Sequence, residues 1–444
     1  MLASTAVRQY RCSPVLLLAS IVMLQPFMEA RMLFGVLLDQ VVKTGSLRLI
    51  DAKGRVRTYG DGSGPTVSVC LHKGGLNLGL AVNPYLKIGE AYMDGSLTIE
   101  PPHSIYDFLD LLLGNLGTQF AHPLAQKVAA FRRAKRWIDQ YNPLTRARQN
   151  IAHHYDLDGG VYDLFLDADK NYSCAYFNRP SMSLEDAQLA KKAHIAAKLG
   201  LRPGMKVLDI GCGWGGLALY MAEQAGVDVV GVTLSEEQYK VASRRAEEAG
   251  LADRVVFKLQ DYRTVEGQFD RIVSVGMFEH VGAVHFDEYF RTVRNLLTSD
   301  GTALIHTIGR LDRPGATNPW IAKYIFPGGY IPALSEVTAA TEGSGLLATD
   351  LEILRLHYAE TLRHWRKRFV ARRQIAAKIY DERFCRMWEF YLAGSETSFR
   401  HEGMAVFQLQ IAKQIDTLPL TRDYMLTEEL AYQDGAPPRS LAVG

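Results

Sequence analysis

The stretch Val207-Leu208-Asp209-Ile210-Gly211-Cys212-Gly213-Trp214-Gly215-Gly216 leaves this chain few folds. It reads as a buried strand running into a glycine-rich turn, with Gly215-Gly216-Leu217-Ala218-Leu219-Tyr220 opening a helix. Glycines let the backbone turn tightly and let a ligand come close to it. The helix start adds free N–H groups. The pattern is neither the dinucleotide G-x-G-x-x-G nor a phosphate loop ending in Lys-Ser/Thr.

The surrounding pattern agrees with a parallel α/β sheet. From about residue 151, helix and strand signals alternate. Leu184 to Leu199 reads as a helix. Lys206–Ile210, Val227–Leu234, Arg254–Leu259, Phe269–Val275 and Gly301–Thr307 read as strands. Ser235 caps a helix that has Glu236 and Glu237 in its first turn. A stretch rich in Pro, Gly and aromatics follows from Arg310 to Pro332, then two helices between Tyr358 and Ala393. Ala405–Ile411 is the segment expected to close the sheet. Residues 32–120 read as a smaller mixed α/β unit. It has an amphipathic helix from Leu33, strands at 47–50 and 67–71, and an apolar helix Ile105 to Leu116. Residues 121–150 read as a basic helix and linker.

At 444 residues two or three domains are expected. The net charge of +2 excludes nothing, but its distribution is uneven. Lys127 to Arg148 and Arg363 to Lys378 are basic stretches mixed with Phe, Trp and Ala. A solvated helix face is the plainer reading, and attraction to anionic lipid the sharper one. No nucleic-acid-binding motif is present, so nucleic acid ranks last. Five scattered cysteines without metal-ligand spacing suit free thiols in a reducing compartment, with no metal site expected. Pro14 to Leu24 resembles a signal-peptide core but is shorter than the about 20 residues a membrane span needs. Met32, before a fresh helix pattern, is an alternative start, so residues 1–31 are set aside as an extension.

The glycine loop resembles the S-adenosylmethionine (SAM) site of class I methyltransferases. Further motifs lie in line with it: Gly89-Glu90-Ala91-Tyr92, His154-Tyr155-Asp156, Tyr172-Ser173-Cys174-Ala175-Tyr176-Phe177, and Gly231-Val232-Thr233-Leu234-Ser235-Glu236-Glu237-Gln238. Asp261-Tyr262-Arg263, Gly276-Met277-Phe278-Glu279-His280-Val281-Gly282, His306-Thr307-Ile308-Gly309 and Lys323-Tyr324-Ile325-Phe326-Pro327-Gly328-Gly329 complete the set. With these, the chain from about residue 45 to 425 resembles the cyclopropane-fatty-acyl-phospholipid synthases. Two places depart from that family. Its Tyr-Asp-x-Gly-Asn-Asp-x-Tyr turn is here Tyr155-Asp156-Leu157-Asp158-Gly159-Gly160-Val161-Tyr162, and Ser395 stands where many members have cysteine.

The resemblance implies a Rossmann-like methyltransferase domain over 151–435, with a lid around 310–334, behind a lipid-docking unit at 32–120. It implies methyl transfer from SAM to a cis double bond of a phospholipid acyl chain, then ring closure through loss of a proton. The implied base is a bound bicarbonate held by Glu279, His306, Tyr358 and the backbones of Cys174 and Ile308. The residues themselves admit plainer roles: Glu279 as a helix cap, His306 as structural, Tyr358 as core. For the cofactor, the resemblance implies that Tyr172 and Ser173 cover it beside Gly211, Gly213 and Gly215. Asp209 orients the loop, Thr233 and Gln238 take the ribose end, and Asp261 and Tyr262 flank the adenine. Cys212 packs within the loop, and Trp320, Ile321, Tyr324, Ile325, Phe326, Tyr330 and Ile331 line the acyl slot. A cytoplasmic enzyme, peripheral on the inner membrane face, is the resulting expectation, with a homodimer offered on family analogy alone. Methyl-branching of acyl chains, small-amine N-methylation, and a lipid- or SAM-binding protein without catalysis are the alternatives.

Overall fold

A computed structural model describes residues 33–117 and 160–433. The 121–150 segment, the His154-Tyr155-Asp156 motif, the altered turn as far as Gly159 and residues 1–31 lie outside them.

The first unit is a four-stranded sheet in the order β2-β1-β3-β4. Its strands are β1 (Ser46–Ile50), β2 (Val56–Tyr59), β3 (Thr66–Leu71) and β4 (Leu97–Ile99). It is covered by α1 (Leu33–Val41), α2 (Leu76–Val82), α3 (Pro84–Met93) and α4 (Ile105–Leu116). Alternation sets the packing, since Leu47 and Leu49 point inward from β1 and Val67, Val69 and Leu71 from β3, forming one core with Phe34, Leu38 and Phe108.

The second unit is a seven-stranded sheet in the order β10-β11-β9-β8-β5-β6-β7. The strands are β5 (Lys206–Ile210), β6 (Asp228–Thr233), β7 (Val255–Leu259), β8 (Phe269–Val275), β9 (Leu297–Arg310), β10 (Leu347–Leu354) and β11 (Met404–Ala412). The five strands from β7 to β9 pair in parallel, while β11 is antiparallel to both β9 and β10. The Ala405–Ile411 segment therefore does not close the sheet. It lies inside it, buried on both faces, and the edge strand is β10. A strand this apolar needs neighbours on both sides, whereas β10 is only partly buried and leaves Leu347 and Leu351 exposed.

Helices cover both faces: α5 (Leu184–Leu199), α6 (Gly216–Ala225), α7 (Glu236–Glu248), α8 (Phe286–Leu296), α9 (Pro319–Tyr324), α10 (Leu334–Ser344), α11 (His357–Ala371), α12 (Arg373–Ile379), α13 (Glu382–His401) and α14 (Asp423–Gln433). Three helices, α11 to α13, occupy the span read as two. Ser183 and Ser235 cap α5 and α7 through their side chains, and Gly200 ends α5 in the left-handed conformation. Helix α13 packs against α3 and α4 of the first unit. None of the described helices is long and apolar enough to cross a membrane.

The second basic stretch is neither bare nor simply solvated. Arg366 bonds Glu396, Arg368 bonds Glu185, Arg373 bonds Glu382 and Glu389, and Arg372 donates to the carbonyls of Asp163 and Leu164. These arginines brace α11 and α12 against their neighbours.

Candidate active site

A pocket opens at the carboxyl ends of β5, β6 and β8, where the chain reverses its direction of travel across the sheet. The glycine loop forms its floor. Gly211 (φ +82°) and Gly215 (φ +84°) hold conformations that L side chains rarely adopt. A Cβ on Gly211 would stand 2.9 Å from the Met277 side chain. Gly215 does not itself line the pocket. It is the N-cap of α6, where a Cβ would stand 2.6 Å from the Phe257 ring.

Tyr172, Ser173, Asp209, Gly211, Gly213, Thr233, Gln238, Asp261 and Tyr262 all line this pocket. Several are already engaged within the protein. Thr233 Oγ1 donates to Gln238 Oε1 at 2.8 Å. Asp261 accepts from the Arg263 amide at 3.0 Å and from its guanidinium at 2.9 and 2.8 Å, which fixes the turn at the pocket rim. Asp209 is different. It is 2 % exposed, its Oδ2 has no hydrogen-bond partner, and burial pushes its carboxyl up to about 7. Motif reading missed Lys191, Asn171 and Trp214, which also line the pocket. Lys191 on α5 carried no signal that separates it from a solvated lysine.

The five residues expected at the reacting centre are not on the pocket wall. Cys174 and Tyr358 lie in an adjoining apolar cluster with Trp320, Ile325, Trp365, Trp388 and Tyr391, and Ile308 and Phe326 pack against it. Trp214 and Tyr172 belong to both pocket and cluster. Tyr172 shares a hydroxyl–hydroxyl bond of 2.8 Å with Tyr391 and stacks on Trp365. The cluster is thus a dry, largely aromatic core joined to the pocket by two side chains.

Glu279 stands in the turn after β8, tied to Ile308, which packs against this cluster. It caps no helix. Its Oε1 accepts the Ile308 amide at 2.6 Å, Oε2 is buried with no hydrogen-bond partner, and burial raises the carboxyl to about 7. His306 lies within β9 rather than at its end. Burial holds it well below the ordinary histidine range, so it is neutral. Gln408 Nε2 faces Nδ1 at 3.1 Å, and with that amide donating, Nε2 carries the hydrogen. Tyr358 is held edge-on by Trp365 and against Phe399. Burial pushes the Cys174 thiol far above the ordinary cysteine range.

The segment read as a lid divides. Trp320 and Ile325 are buried in the aromatic cluster, and Ile321, Tyr324 and Phe326 pack against it. Tyr330 does not. It sits in the core under α8, near Phe286, and its hydroxyl donates to Glu336 at 2.6 Å. The first unit reaches the cluster through Met93, whose sulfur accepts from Trp320 Nε1 at 3.2 Å. Gly89 allows this approach, since a Cβ there would stand 2.5 Å from that nitrogen.

The family model "Mycolic acid cyclopropane synthetase" matches residues 142–409. The chain is 40% identical over 335 residues to a cyclopropane-fatty-acyl-phospholipid synthase of Escherichia coli, covering 74% of this chain and 84% of that protein. It is 36% identical over 382 residues to the tuberculostearic acid methyltransferase UfaA1 of Mycobacterium tuberculosis, covering 83% and 88%. Among solved structures, the mycolic acid cyclopropane synthase CmaA1 complexed with SAH and CTAB superposes with a TM-score of 0.57 at 34% identity, covering 62% of this chain and all (100%) of that one. The sheet order, the glycine-floored pocket and these matches agree: the chain belongs to the mycolic acid cyclopropane synthetase family and is a SAM-dependent methyltransferase of the cyclopropane-fatty-acyl-phospholipid synthase kind.

Proposed function

We propose that this enzyme converts cis-unsaturated acyl chains of membrane phospholipids to cyclopropane chains. The observation that carries this reading is the spare, buried Glu279 Oε2, held by the Ile308 amide beside an aromatic cluster that adjoins the cofactor pocket. SAM supplies a methyl group made electrophilic by its sulfonium. An isolated alkene is a weak nucleophile, so the protein must exclude water and hold the double bond against that methyl. Trp320, Ile325, Tyr358 and Trp365 supply the dry walls. Methyl transfer leaves a cation on the acyl chain, and a nearby carboxylate favours it.

Ring closure needs a base. Bicarbonate fits the groups present: Glu279 Oε2 can accept from its hydroxyl, and neutral His306 and the Tyr358 hydroxyl can donate to its oxygens. The Cys174 backbone completes the cradle. Bound there, bicarbonate would supply the proton acceptor. The Ile308 amide is engaged by Glu279, so Ile308 serves this site by orienting that carboxylate.

A second reading ends at a methyl branch or methylene. It is favoured by the similarity to a tuberculostearic acid methyltransferase over 83% of the chain. Incubation with SAM and liposomes of cis-unsaturated phospholipid, followed by mass spectrometry and proton NMR, separates the two. Cyclopropane ring protons support the first reading, and vinyl or methyl-branch protons replace it with the second. For membrane contact we propose the unit at 33–117, acting from the cytoplasmic side. Equal pelleting with anionic liposomes by the whole chain and by one lacking residues 1–120 would remove this assignment.

A further inference from the structure

Lys191 is a buried cation that the reaction described above does not use. It is 2 % exposed, projects from α5 and lines the cofactor pocket with Ser173, Asp209, Gly211 and Gly213. Its ammonium has three hydrogens to donate. Two are accounted for by neutral oxygens, Ser173 Oγ at 2.8 Å and Asn171 Oδ1 at 3.2 Å. The acids around it are differently committed. Asp169 is held by Lys192 and Arg245. Asp167 accepts from Asn171 through its amide at 2.9 Å and its side chain at 2.7 Å. Asp209 makes no hydrogen bond or ion pair with Lys191 and keeps its Oδ2 without a partner.

One pocket therefore contains two buried groups of opposite charge type, neither satisfied by a direct ion pair with the other. A buried charge is costly unless paired and hydrogen-bonded. Both groups show that cost: burial lowers Lys191 to about 8 and raises Asp209 to about 7. A ligand group with one positive and one negative end, a few ångströms apart, would complete both. The amino-acid end of SAM is such a group, and the glycine loop beside these residues is where the resemblance places it.

We propose that Lys191 binds the α-carboxylate of the cofactor, with Asp209 facing the α-ammonium, so that this pair selects the zwitterionic end. The proposal rests on the SAM reading of the pocket. It makes Lys191 a binding residue that distinguishes SAM and SAH from analogues lacking the carboxylate. The adenine and ribose contacts on the Thr233 and Asp261 side do not involve it.

The test is calorimetric binding of three ligands: SAH, its decarboxylated analogue, and 5′-deoxy-5′-methylthioadenosine, which lacks the whole amino-acid end. A hydrogen bond between charged groups is strong enough that wild type should bind SAH roughly 10- to 100-fold more tightly than the decarboxylated analogue. In Lys191→Met that ratio should fall to about 1 while affinity for methylthioadenosine is kept. Loss of all three affinities in equal proportion would overturn the proposal, because it would make Lys191 only a brace for the Tyr172–Ser173 loop. So would a wild type that binds SAH and the decarboxylated analogue alike, a result that needs no variant to fold. Binding of none of the three by wild type would instead overturn the SAM reading itself.

Discussion

The Ile308 amide donates to Glu279 Oε1 at 2.6 Å, and this one bond turns the other carboxylate oxygen into a buried acceptor with nothing to accept. The bond links β9 to the turn after β8, so Glu279 cannot swing away to solvate itself. Its desolvation is therefore built into the fold, and a raised carboxyl follows. Replacing Glu279 by Gln keeps the shape and removes the charge. Turnover should fall by at least about 100-fold, and SAH affinity should change little because Glu279 is off the pocket wall. In wild type, turnover should rise as pH passes through about 7, where Glu279 becomes ionised, and the residual activity of Glu279→Gln should lack that limb. Turnover of the Gln variant near the wild-type rate would dismiss Glu279 from the chemistry.

The same shift has a consequence for stability. The folded state keeps a proton on Glu279 up to about 7, whereas the unfolded carboxyl releases it near 4.5. The folded state then binds more protons, so the stabilising contribution is fully present below about 4.5 and lost as pH rises through about 7. Asp209 acts in the same direction from 3.8 to about 7. His280, lowered from 6.5 to about 4, acts oppositely and loses stability as pH falls through that window. Comparing Glu279→Gln with wild type cancels the terms from Asp209 and His280. Thermal midpoints of ligand-free protein should show the variant gaining on wild type from pH 5 to pH 8. A constant difference across that range would mean Glu279 is not desolvated.

Cys174 separates a thiol mechanism from a backbone role. Its sulfur is buried, donates to the Ala175 carbonyl at 3.3 Å and has its ionisation suppressed by burial. A thiolate nucleophile needs the opposite surroundings. Cys174→Ser should therefore retain turnover within about tenfold of wild type, as expected for a small change in packing. Near-complete loss of turnover with SAH still bound would assign the thiol a chemical part.

The parallel half of the sheet was legible in the chain because buried strands and capped helices are local patterns. Lys206–Ile210, Phe269–Val275, Leu184–Leu199 and Ile105–Leu116 have the bounds their sequences suggest. The placement of β11 was not legible, since antiparallel insertion between β9 and β10 depends on a return through α11 to α13. Tyr330 shows the same limit. An aromatic in a Pro/Gly-rich run reads alike whether it faces the slot or the core under α8. Nine of the ten residues that motif resemblance assigned to the cofactor line the pocket, while Lys191 stayed hidden because a buried lysine on a helix is recognised only when its neighbours in space are known.

Glu90 joins the first unit to α9. Its carboxylate accepts from Lys87 at 2.6 Å on its own helix, and from Lys323 at 2.7 Å and Tyr324 at 3.0 Å on α9. These donors hold the acid down at about 2 despite partial burial, so it stays ionised across the working range. Helix α9 also supplies Trp320 and Ile321 to the aromatic cluster, so the contact sets how α3 meets that cluster. Glu90→Gln weakens three charge-assisted bonds, two of them ion pairs to exposed lysines, where such pairs contribute little to global stability. Its effect should fall on lipid handling: a KM for unsaturated phospholipid vesicles raised by roughly threefold or more, with SAH affinity and thermal midpoint nearly unchanged. Because Glu90 ionises far below neutrality, this defect should be the same at pH 6 and pH 8. An unchanged vesicle KM would show that α9 keeps its position without the Glu90 charge. A loss of SAH affinity instead would mean the contact acts on the cofactor pocket through Tyr172 and Trp214, the two side chains shared between pocket and aromatic cluster.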